Sequence, residues 1–295
     1  MYYVVYGFLY LFSLLPLTVL YLFSDLAYLV LYYIVGYRKE VIRQNLAIAF
    51  PEKSEEERKK IGRQFCRNLT DTFIETLKML SIRPKELARR TVCDFEHIND
   101  LVARGFNVHI VAGHQFNWEL GNLAYGREFK IPFISVYTRL NNKIFDKIFY
   151  KARSRYGSFM ISKEDFRLRK DELLANRHIM ALAADQNPSN PNNAYWLKLF
   201  GKLAPFITGP ARGAVKQNNA MVFVGFRKLK RGKYQFKSIP MTEHAAEHNP
   251  EELTILYRDL LERTIRLDPA NYLWSHRRWR HEWKPEYGKP IDEAV

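Results

Sequence analysis

The chain contains the stretch Asn107-Val-His-Ile-Val-Ala-Gly-His-Gln-Phe-Asn-Trp-Glu119, in which a short apolar run ends at a glycine. The apolar run predicts a buried β-strand, Gly113 predicts a tight turn, and the residues that follow His114 predict the start of a helix. From about residue 106 onward, other short apolar runs alternate with helical patterns. Because strands that alternate with helices form parallel sheets, the sequence predicts an α/β domain with a mostly parallel central sheet flanked by helices.

Five apolar runs are predicted to be strands, and five patterned segments are predicted to be helices. The strands are Phe106–Ala112, Ile131–Tyr137, His178–Ala184, Ala220–Phe226 and Tyr234–Ile239. The helices are Trp118–Tyr125, Asn141–Tyr156, Phe166–Asn176, Thr208–Asn218 and Pro250–Leu267. Upstream, Ser54-Glu-Glu-Glu57 is a capping-box pattern that predicts the start of a long amphipathic helix. In such a sheet, sites lie beyond the carboxyl ends of the strands.

The chain is predicted to consist of a membrane anchor and interfacial segment over residues 1–36, and of an α/β domain with a helical collar over residues 37–295. Residues Tyr2 to Ser24 carry no charge, and a helix of about 20 apolar residues is long enough to cross a bilayer. A second apolar stretch, Leu26 to Val35, is too short to cross alone and is expected at the interface. The basic start and cleavage site of a signal peptide are lacking, so the anchor is expected to be retained.

The first basic residues, Arg38 and Lys39, follow the apolar region. By the positive-inside rule, they place the bulk of the protein on the cytoplasmic face of the membrane, as a single-pass or a peripheral protein. The tyrosines of the apolar region fit an interfacial belt better than a buried core helix. The two cysteines, Cys66 and Cys93, are far apart and lack metal-binding spacing, so free thiols in a reducing compartment are expected.

The chain has 46 Lys and Arg against 31 Asp and Glu, which gives a formal net charge of +15. An excess of this size implies an anionic partner, which is nucleic acid, anionic lipid headgroups or an acidic protein. The basic residues form short clusters and no long tail, and the sequence contains no recognised nucleic-acid-binding module, so nucleic acid is disfavoured. A non-enzymatic basic protein that binds membranes stays open as an alternative.

His114 and Glu119 are the first candidates for chemistry, because His114 falls at the carboxyl end of a strand and just before a helix. Residues five apart on a regular helix point about 140° apart, so the pair can meet only if His114 turns back over the first helical turn. Glu119 would then accept a hydrogen bond from one imidazole nitrogen and make the other a better base. The alternative is a buried structural histidine beside a surface glutamate.

The motif offers this base no serine or cysteine nucleophile, and the chain has no Gly-x-Ser-x-Gly elbow. A base at His114 would therefore deprotonate a substrate hydroxyl, which would attack an activated acyl group such as a thioester in a single transfer. Activation of water, which would make the protein a hydrolase, uses the same base and stays open. One histidine and one glutamate supply only two metal ligands, so neither a metal nor another cofactor is expected.

Four blocks, in order, resemble the lipid A late acyltransferases, the lauroyl and myristoyl transferases of Gram-negative envelopes. The first is Tyr37-Arg-Lys-Glu-Val-Ile-Arg-Gln-Asn-Leu-Ala-Ile-Ala-Phe-Pro-Glu52, and the second is Gly113-His-Gln-Phe-Asn-Trp-Glu-Leu-Gly121, which resembles the family's HX4(D/E) block. The third is Ala184-Asp-Gln-Asn-Pro188 with Phe200-Gly201 and Thr208-Gly-Pro-Ala211, and the fourth is Tyr272-Leu-Trp-Ser-His-Arg-Arg-Trp279. The resemblance covers nearly the whole chain.

The resemblance implies a glycerolipid-acyltransferase-like α/β fold and the transfer of a fatty acyl chain, typically from acyl carrier protein, to a hydroxyl of a glycolipid precursor. It implies that His114 is the general base and Glu119 its orienting partner. Five further residues are expected to bind substrate, namely Asn117, Arg139, Asp185, Arg277 and Arg278. The guanidinium of Arg139 suits a phosphate or a developing oxyanion, and Asp185 is expected to orient Arg139 or the acceptor.

Arg277 and Arg278, together with His276 and Trp274, form a basic aromatic strip that suits phosphorylated headgroups or, equally, a structural ion-pair ledge. The loop Asn187-Pro-Ser-Asn-Pro-Asn-Asn193 departs from the more glycine-containing family pattern. The acceptor therefore stays open between a lipid A precursor and another membrane lipid, such as an amino-acid lipid, an aryl-polyene lipid or another glycolipid. The expected partners are acyl carrier protein or another thioester donor, a glycolipid acceptor, and the anionic lipids of the bacterial inner membrane.

Overall fold

A central sheet organises the molecule, whose computed structural model describes residues 1–293. The sheet strands are β1 (Thr91–Cys93), β2 (Val108–Ala112), β3 (Phe133–Tyr137), β4 (Ser158–Ser162), β5 (Ile179–Ala183), β8 (Ala220–Lys230) and β9 (Lys233–Thr242). They are arranged in the order β1-β9-β8-β2-β5-β3-β4. The two remaining strands, β6 (Ala194–Leu199) and β7 (Lys202–Ile207), form a separate antiparallel hairpin.

Most neighbouring strands of the sheet run parallel. Strand β2 pairs in parallel with β5 and β8, and β3 pairs in parallel with β4 and β5. Strand β9 is antiparallel to β8, and β1 is parallel to β9, so these two run against the other five. The predicted mostly parallel sheet flanked by helices is confirmed, and all five predicted strands are present.

Eleven α-helices lie within residues 1–293. Six precede β2, namely α1 (Tyr2–Leu14), α2 (Leu17–Leu29), α3 (Lys39–Ala49), α4 (Glu55–Lys78), α5 (Pro84–Arg90) and α6 (Glu96–Ala103). Five follow it, namely α7 (Trp118–Glu128), α8 (Lys143–Arg153), α9 (Lys163–Leu174), α10 (Gly209–Gln217) and α11 (Pro250–Leu267). The last five correspond to the five predicted helices. Both hydrogen bonds of the predicted capping box, between Ser54 and Glu57, are present at the start of α4.

The strands that were not predicted are short or fall outside a long apolar run. Strand β1 has three residues, and β4 is bounded by serines at both ends. The β6–β7 hairpin turns through Phe200 and Gly201, which both have positive φ angles, of 52° and 76°. Such a pair of left-handed residues makes a tight two-residue hairpin turn, but Phe at the first position hides that signal in the sequence.

The N-terminal apolar region forms two helices, so the prediction of one helix over Tyr2 to Ser24 is wrong. Leu15 and Pro16 have extended backbone, with ψ angles of 147° and 145°, and separate α1 from α2. Proline lacks an amide hydrogen and disfavours a helical conformation in the residue before it, which explains the break.

The second apolar stretch is likewise not a separate segment, because α2 runs on through a π-helical turn to Val35. The resulting helix, Leu17–Val35, has 19 residues. Within residues 1–293, it is the one helix that is long and apolar enough to cross a membrane by length and composition. Helix α1 is apolar but has only 13 residues.

Candidate active site

His114 and Asp185 lie together at the carboxyl edge of the sheet. His114 Nδ1 is 2.6 Å from Asp185 Oδ1, and the backbone amide of His114 donates to Asp185 Oδ2 at 3.0 Å. Because a carboxylate only accepts, the hydrogen of the neutral ring sits on Nδ1, and Nε2 carries the free lone pair. No residue among 1–293 forms a hydrogen bond with Nε2, and the side chain of His114 is 21% exposed. Nε2 can therefore accept a proton from a molecule bound at this edge.

Strand register brings the two residues together. Strands β2 and β5 are parallel neighbours, and Ala112 lies opposite Ala183. His114 and Asp185 each follow two residues later, so they leave the sheet side by side. Both sit where ligands bind in open α/β sheets, beyond the carboxyl ends of central strands.

The predicted hydrogen bond between His114 and Glu119 is wrong. The Glu119 carboxylate accepts hydrogen bonds from Arg153 in α8, from Nε at 2.8 Å and from Nη2 at 2.5 Å. It also accepts one from Trp118 Nε1 at 3.1 Å. Glu119 sits in the first turn of α7, which carries its side chain toward α8 and away from the ring nitrogen of His114. The contact to His114 is indirect, through the Trp118 ring, whose centroid lies 5.4 Å from that of the imidazole.

The charges around His114 shift its protonation equilibrium. Burial opposes a charge on the ring, but the Asp185 carboxylate outweighs this and raises the pKa of His114. Asp185 is also buried, yet the charge and hydrogen bonds of His114 lower its pKa to about 2. Glu119 adds to the rise in the pKa of His114, and Arg153 opposes it. Asp185 therefore stays ionised at neutral pH, and His114 titrates above its ordinary range.

Gly113 lets the turn after β2 pass close to α11. A Cβ atom at this position would overlap with Cδ1 of Leu261 and lie 3.8 Å from Asp185 Oδ2. The hydroxyl of Tyr257 donates to the carbonyl of Ala112 at 2.9 Å, so both Leu261 and Tyr257 of α11 contact the turn. This packing fixes the point at which His114 leaves the strand.

Asn117 forms the N-cap of α7. Its Oδ1 accepts from the amide of Leu120 at 3.1 Å, and its Nδ2 donates to Glu75 Oε2 at 2.7 Å. The side chain is fully buried. The structure therefore gives both ends of the Asn117 side chain partners within the protein, and its expected contact with substrate stays a prediction.

Arg139 follows β3, which is separated from β2 by β5. Its Nη2 lies 2.5 Å from Asp165 Oδ2 at the start of α9, and its side chain is 56% exposed. The expectation that Asp185 orients Arg139 is wrong, because Asp185 pairs with His114 and Arg139 pairs with Asp165. Arg139 remains an exposed cation at the carboxyl edge of the sheet, and its contact with an anionic substrate group stays a prediction.

The C-terminal arginines do not form one exposed strip. Arg277 is exposed, whereas Arg278 is 1% exposed, and the expected contact of each with a headgroup stays a prediction. Arg278 Nη1 donates to Asn187 Oδ1 at 2.9 Å, and its guanidinium lies 4.3 Å from the centroid of the Phe206 ring. Asn187 Nδ2 in turn donates to the carbonyl of Arg277 at 2.8 Å. The loop after Asp185 is therefore tied to the C-terminal segment.

Arg278 is an incompletely paired cation close to the His114–Asp185 pair. Its Nε and Nη2 atoms are buried and have no hydrogen-bond partner in the part of the chain that the structure describes. Burial lowers the pKa of Arg278, and the nearby Tyr272 and Asp185 oppose that shift. Beside it, burial lowers the pKa of His276 to about 4, so that ring is neutral at physiological pH.

Residues 1–281 match the family model of bacterial lipid A biosynthesis acyltransferases. The chain belongs to this family. It is an acyltransferase, and the resemblance inferred from the four sequence blocks is confirmed.

Named relatives show how far the similarity extends. The lipid A biosynthesis lauroyltransferase of Escherichia coli (strain K12) is 27% identical over 251 residues, which cover 82% of this chain and 79% of that protein. The lipid A biosynthesis palmitoleoyltransferase of the same organism is 24% identical over 261 residues, with the same coverage of both chains. A lipid A biosynthesis acyltransferase of Shigella flexneri is 24% identical over 261 residues, again with that coverage.

Several residues around the site of this acyltransferase were not predicted. Arg153, Glu75 and Asn187 all contact predicted site residues, but each comes from a different segment. Only Asn187 carried a signal, because it opens the unusual loop after Asp185. Within residues 1–293, no three His, Cys, Asp or Glu side chains are grouped so that they could hold a metal ion.

Proposed function

We propose that this acyltransferase moves a fatty acyl chain from an acyl thioester, carried by acyl carrier protein, to a hydroxyl of a lipid A precursor, with His114 as the general base. The hydrogen-bonded pair of His114 and Asp185 carries this proposal, because it leaves Nε2 unpaired at the edge of the sheet where ligands bind. The family supports acyl transfer, and the basic charge of +15 suits an acidic donor protein and a phosphorylated acceptor.

The chemistry needs one proton carrier and no covalent enzyme intermediate. His114 Nε2 takes the proton of the acceptor hydroxyl while the hydroxyl oxygen attacks the carbonyl carbon of the thioester. The tetrahedral adduct then collapses, its carbon–sulfur bond breaks, and the imidazolium returns the proton to the leaving thiolate. Asp185 holds the ring by Nδ1 and stabilises the imidazolium, which is the orienting role expected at first of Glu119.

Glu119 and Arg139 have supporting roles in this proposal. Glu119, held by Arg153, stabilises the charged form of His114 electrostatically and fixes the Trp118 ring against it. Arg139 offers its exposed guanidinium to a phosphate of the acceptor. Arg277, exposed and joined through its backbone carbonyl to the loop that follows Asp185, would do the same. The enzyme would work at the bacterial inner membrane, with the catalytic residues on the cytoplasmic side.

Substitution of His114 tests the proposal. His114→Ala should lower the rate of acyl transfer by about 10²–10⁴-fold, the usual contribution of a general base. Acyl carrier protein loaded with a labelled acyl chain would serve as donor, a lipid A precursor in membranes as acceptor, and mass spectrometry would identify the product. His248→Ala is the matched control, because His248 also lies beside a carboxylate, Glu252, but on the surface before α11. Full activity of His114→Ala would exclude it as the base.

The same assay separates the competing functions. Acylation of another membrane lipid, with none of the lipid A precursor, would change the acceptor and keep the mechanism. Thioester cleavage at an equal rate without any acceptor would show a hydrolase. A protein that binds membranes and donor with no acyl transfer at all, in either the wild type or the variant, would contradict the proposed activity.

A further inference from the structure

The two N-terminal helices expose an apolar face along their whole length. In α1, Val4, Phe8 and Leu11 are 75%, 68% and 66% exposed, and in α2, Leu22, Leu26 and Leu29 are 68%, 59% and 49% exposed. Each trio follows the spacing i, i+4, i+7, so it forms one stripe on its helix. These six residues are called the apolar face below. A contiguous apolar surface of this kind marks an interaction site.

Polar contacts at mid-helix join α2 to the catalytic domain. The hydroxyl of Tyr21 donates to Glu75 at 2.7 Å, and Ser24 Oγ donates to Asp71 at 2.8 Å, both in α4. Asp25 pairs with Arg231, in the turn between β8 and β9, at 2.7 Å. If α2 crossed a bilayer, these contacts would lie near its centre, where ionised side chains are costly.

Helix α1 docks on the same domain as α2. Near its C-terminal end, the backbone carbonyls of Ser13 and Leu15 accept hydrogen bonds from Lys78 Nζ at 3.0 and 3.1 Å. Ser81 Oγ donates to the same Ser13 carbonyl at 2.7 Å. If α2 spanned the membrane, α1 would lie on the far side and lose all of these contacts. Both helices therefore belong to one side of the membrane.

A border of tyrosines and basic side chains separates the two helices from the domain. Five cations lie over tyrosine rings, and each belongs to a different tyrosine of the N-terminal region. The pairs are Lys147 over Tyr2 at 4.5 Å, Lys151 over Tyr6 at 4.2 Å, Arg231 over Tyr21 at 4.2 Å, Arg67 over Tyr28 at 4.7 Å and Lys39 over Tyr32 at 4.4 Å. A spanning helix carries its aromatic and basic residues at its two ends, at the headgroups. In this protein, the cation–tyrosine pairs are distributed along both helices, from Tyr2 at the start of α1 to Tyr32 in the π-helical turn after α2.

We propose that α1 and α2 form a monotopic membrane surface, in which the apolar face enters one leaflet of an anionic bilayer and the chain does not cross to the other side. The exposed cations of this border would lie at the headgroups, where cationic side chains meet anionic lipid. The length of α1, 13 residues or about 20 Å, is too short to cross the hydrocarbon core of about 30 Å. The proposal does not depend on which lipid is acylated.

Sided labelling tests the topology. In a Cys66→Ala, Cys93→Ala background, one cysteine is inserted directly after Met1, and in a second variant Lys289→Cys marks the catalytic domain, where Lys289 is exposed. A membrane-impermeant maleimide is then applied to inside-out and to right-side-out inner-membrane vesicles. Both cysteines should be labelled in inside-out vesicles and protected in the others. Labelling of the N-terminal cysteine only in right-side-out vesicles would overturn the proposal.

Binding to vesicles tests the apolar face. Phe8→Glu or Leu22→Glu should weaken partitioning to phosphatidylglycerol-containing vesicles by roughly 10–100-fold, the effect of keeping one large apolar side chain out of the membrane. Leu168→Glu is the matched control, because Leu168 is 85% exposed but lies on α9. Equal effects of Leu22→Glu and Leu168→Glu would contradict the proposal. Neither experiment uses acyl transfer as its readout, so its failure is distinct from failure of the proposed reaction.

Discussion

Asp185 determines how readily His114 gives up and takes a proton. Its ionised carboxylate raises the pKa of His114, because it stabilises the imidazolium more than burial destabilises it. A base with a raised pKa is protonated at low pH and becomes active only as the pH rises through that pKa. It is also a stronger proton acceptor once neutral, which suits the removal of a proton from a weakly acidic hydroxyl.

Substitution Asp185→Asn should therefore change the pH dependence as well as the rate. Without the negative charge, the pKa of His114 falls, so the acidic limb of the kcat/KM profile should move to lower pH. The rate at the plateau should drop by about 10²–10⁴-fold, because an amide can donate to Nδ1 and favour the wrong tautomer. The measurement is kcat/KM across pH with the folded state checked by circular dichroism.

Asp165→Asn is the control for this profile. Asp165 pairs with the exposed Arg139 in the first turn of α9, whose N-cap is Ser162, and it does not contact His114. Its variant should keep the acidic limb of wild type. If the acidic limb of the kcat/KM profile did not move in Asp185→Asn, the role of Asp185 would be structural only.

The turn between β2 and α7 needs glycine at position 113, because a side chain there would overlap with Leu261. Gly113→Ala places a methyl group against Leu261 of α11, so either the turn or the helix must move. We expect a loss of about 1–3 kcal/mol in the free energy of unfolding and a lower kcat, because His114 is the next residue. Chemical denaturation and steady-state kinetics measure the two effects. Gly209→Ala, where a Cβ would meet no atom within 4 Å, should change neither, and an equal loss there would refute the steric argument.

The elements and their type could be predicted from the sequence, but the contacts between them could not. The apolar runs from residue 106 onward, the capping box at Ser54 and the glycine turn at Gly113 are local signals, and each predicted its element correctly. The pairing of His114 with Asp185 depends on which strand lies beside β2 and in what register, which no local pattern records. Pro16 is a local signal for the break between α1 and α2, and it outweighs the apolar length of the run Tyr2 to Ser24.

For the whole molecule, the charge of +15 predicts how the donor binds. If acyl carrier protein associates through long-range attraction, KM for the acylated carrier should rise steeply with salt, since exposed charges are screened over about 10 Å at 0.1 M. A small acyl thioester without the acidic carrier should show a much weaker dependence. Kinetics with both donors over a salt series provide the measurement. The same salt dependence for both donors would contradict recognition of an acidic protein.

Glu75 is the point at which the N-terminal helices, the sheet and the site meet. Its fully buried carboxylate accepts from Tyr21 of α2 at 2.7 Å, from Tyr234 of β9 at 3.2 Å and from Asn117 at 2.7 Å. Arg90 of α5 completes the cluster, with its Nη2 at 3.0 Å from Glu75 Oε2. A single carboxylate thus joins α2 to the cap of the helix that follows His114.

Glu75→Gln should consequently weaken both stability and catalysis. It leaves the guanidinium of Arg90 buried beside a neutral amide, and breaking a buried ion pair by removing one partner costs about 3–5 kcal/mol. Glu86→Gln is the matched control, because Glu86 lies 3.9 Å from the same arginine but is 32% exposed, and it should cost less than about 1 kcal/mol. Denaturant unfolding in detergent gives the stabilities, and kcat reports on the Asn117 cap. If Glu75→Gln were as stable and active as Glu86→Gln, the cluster would not couple the N-terminal helices to the site.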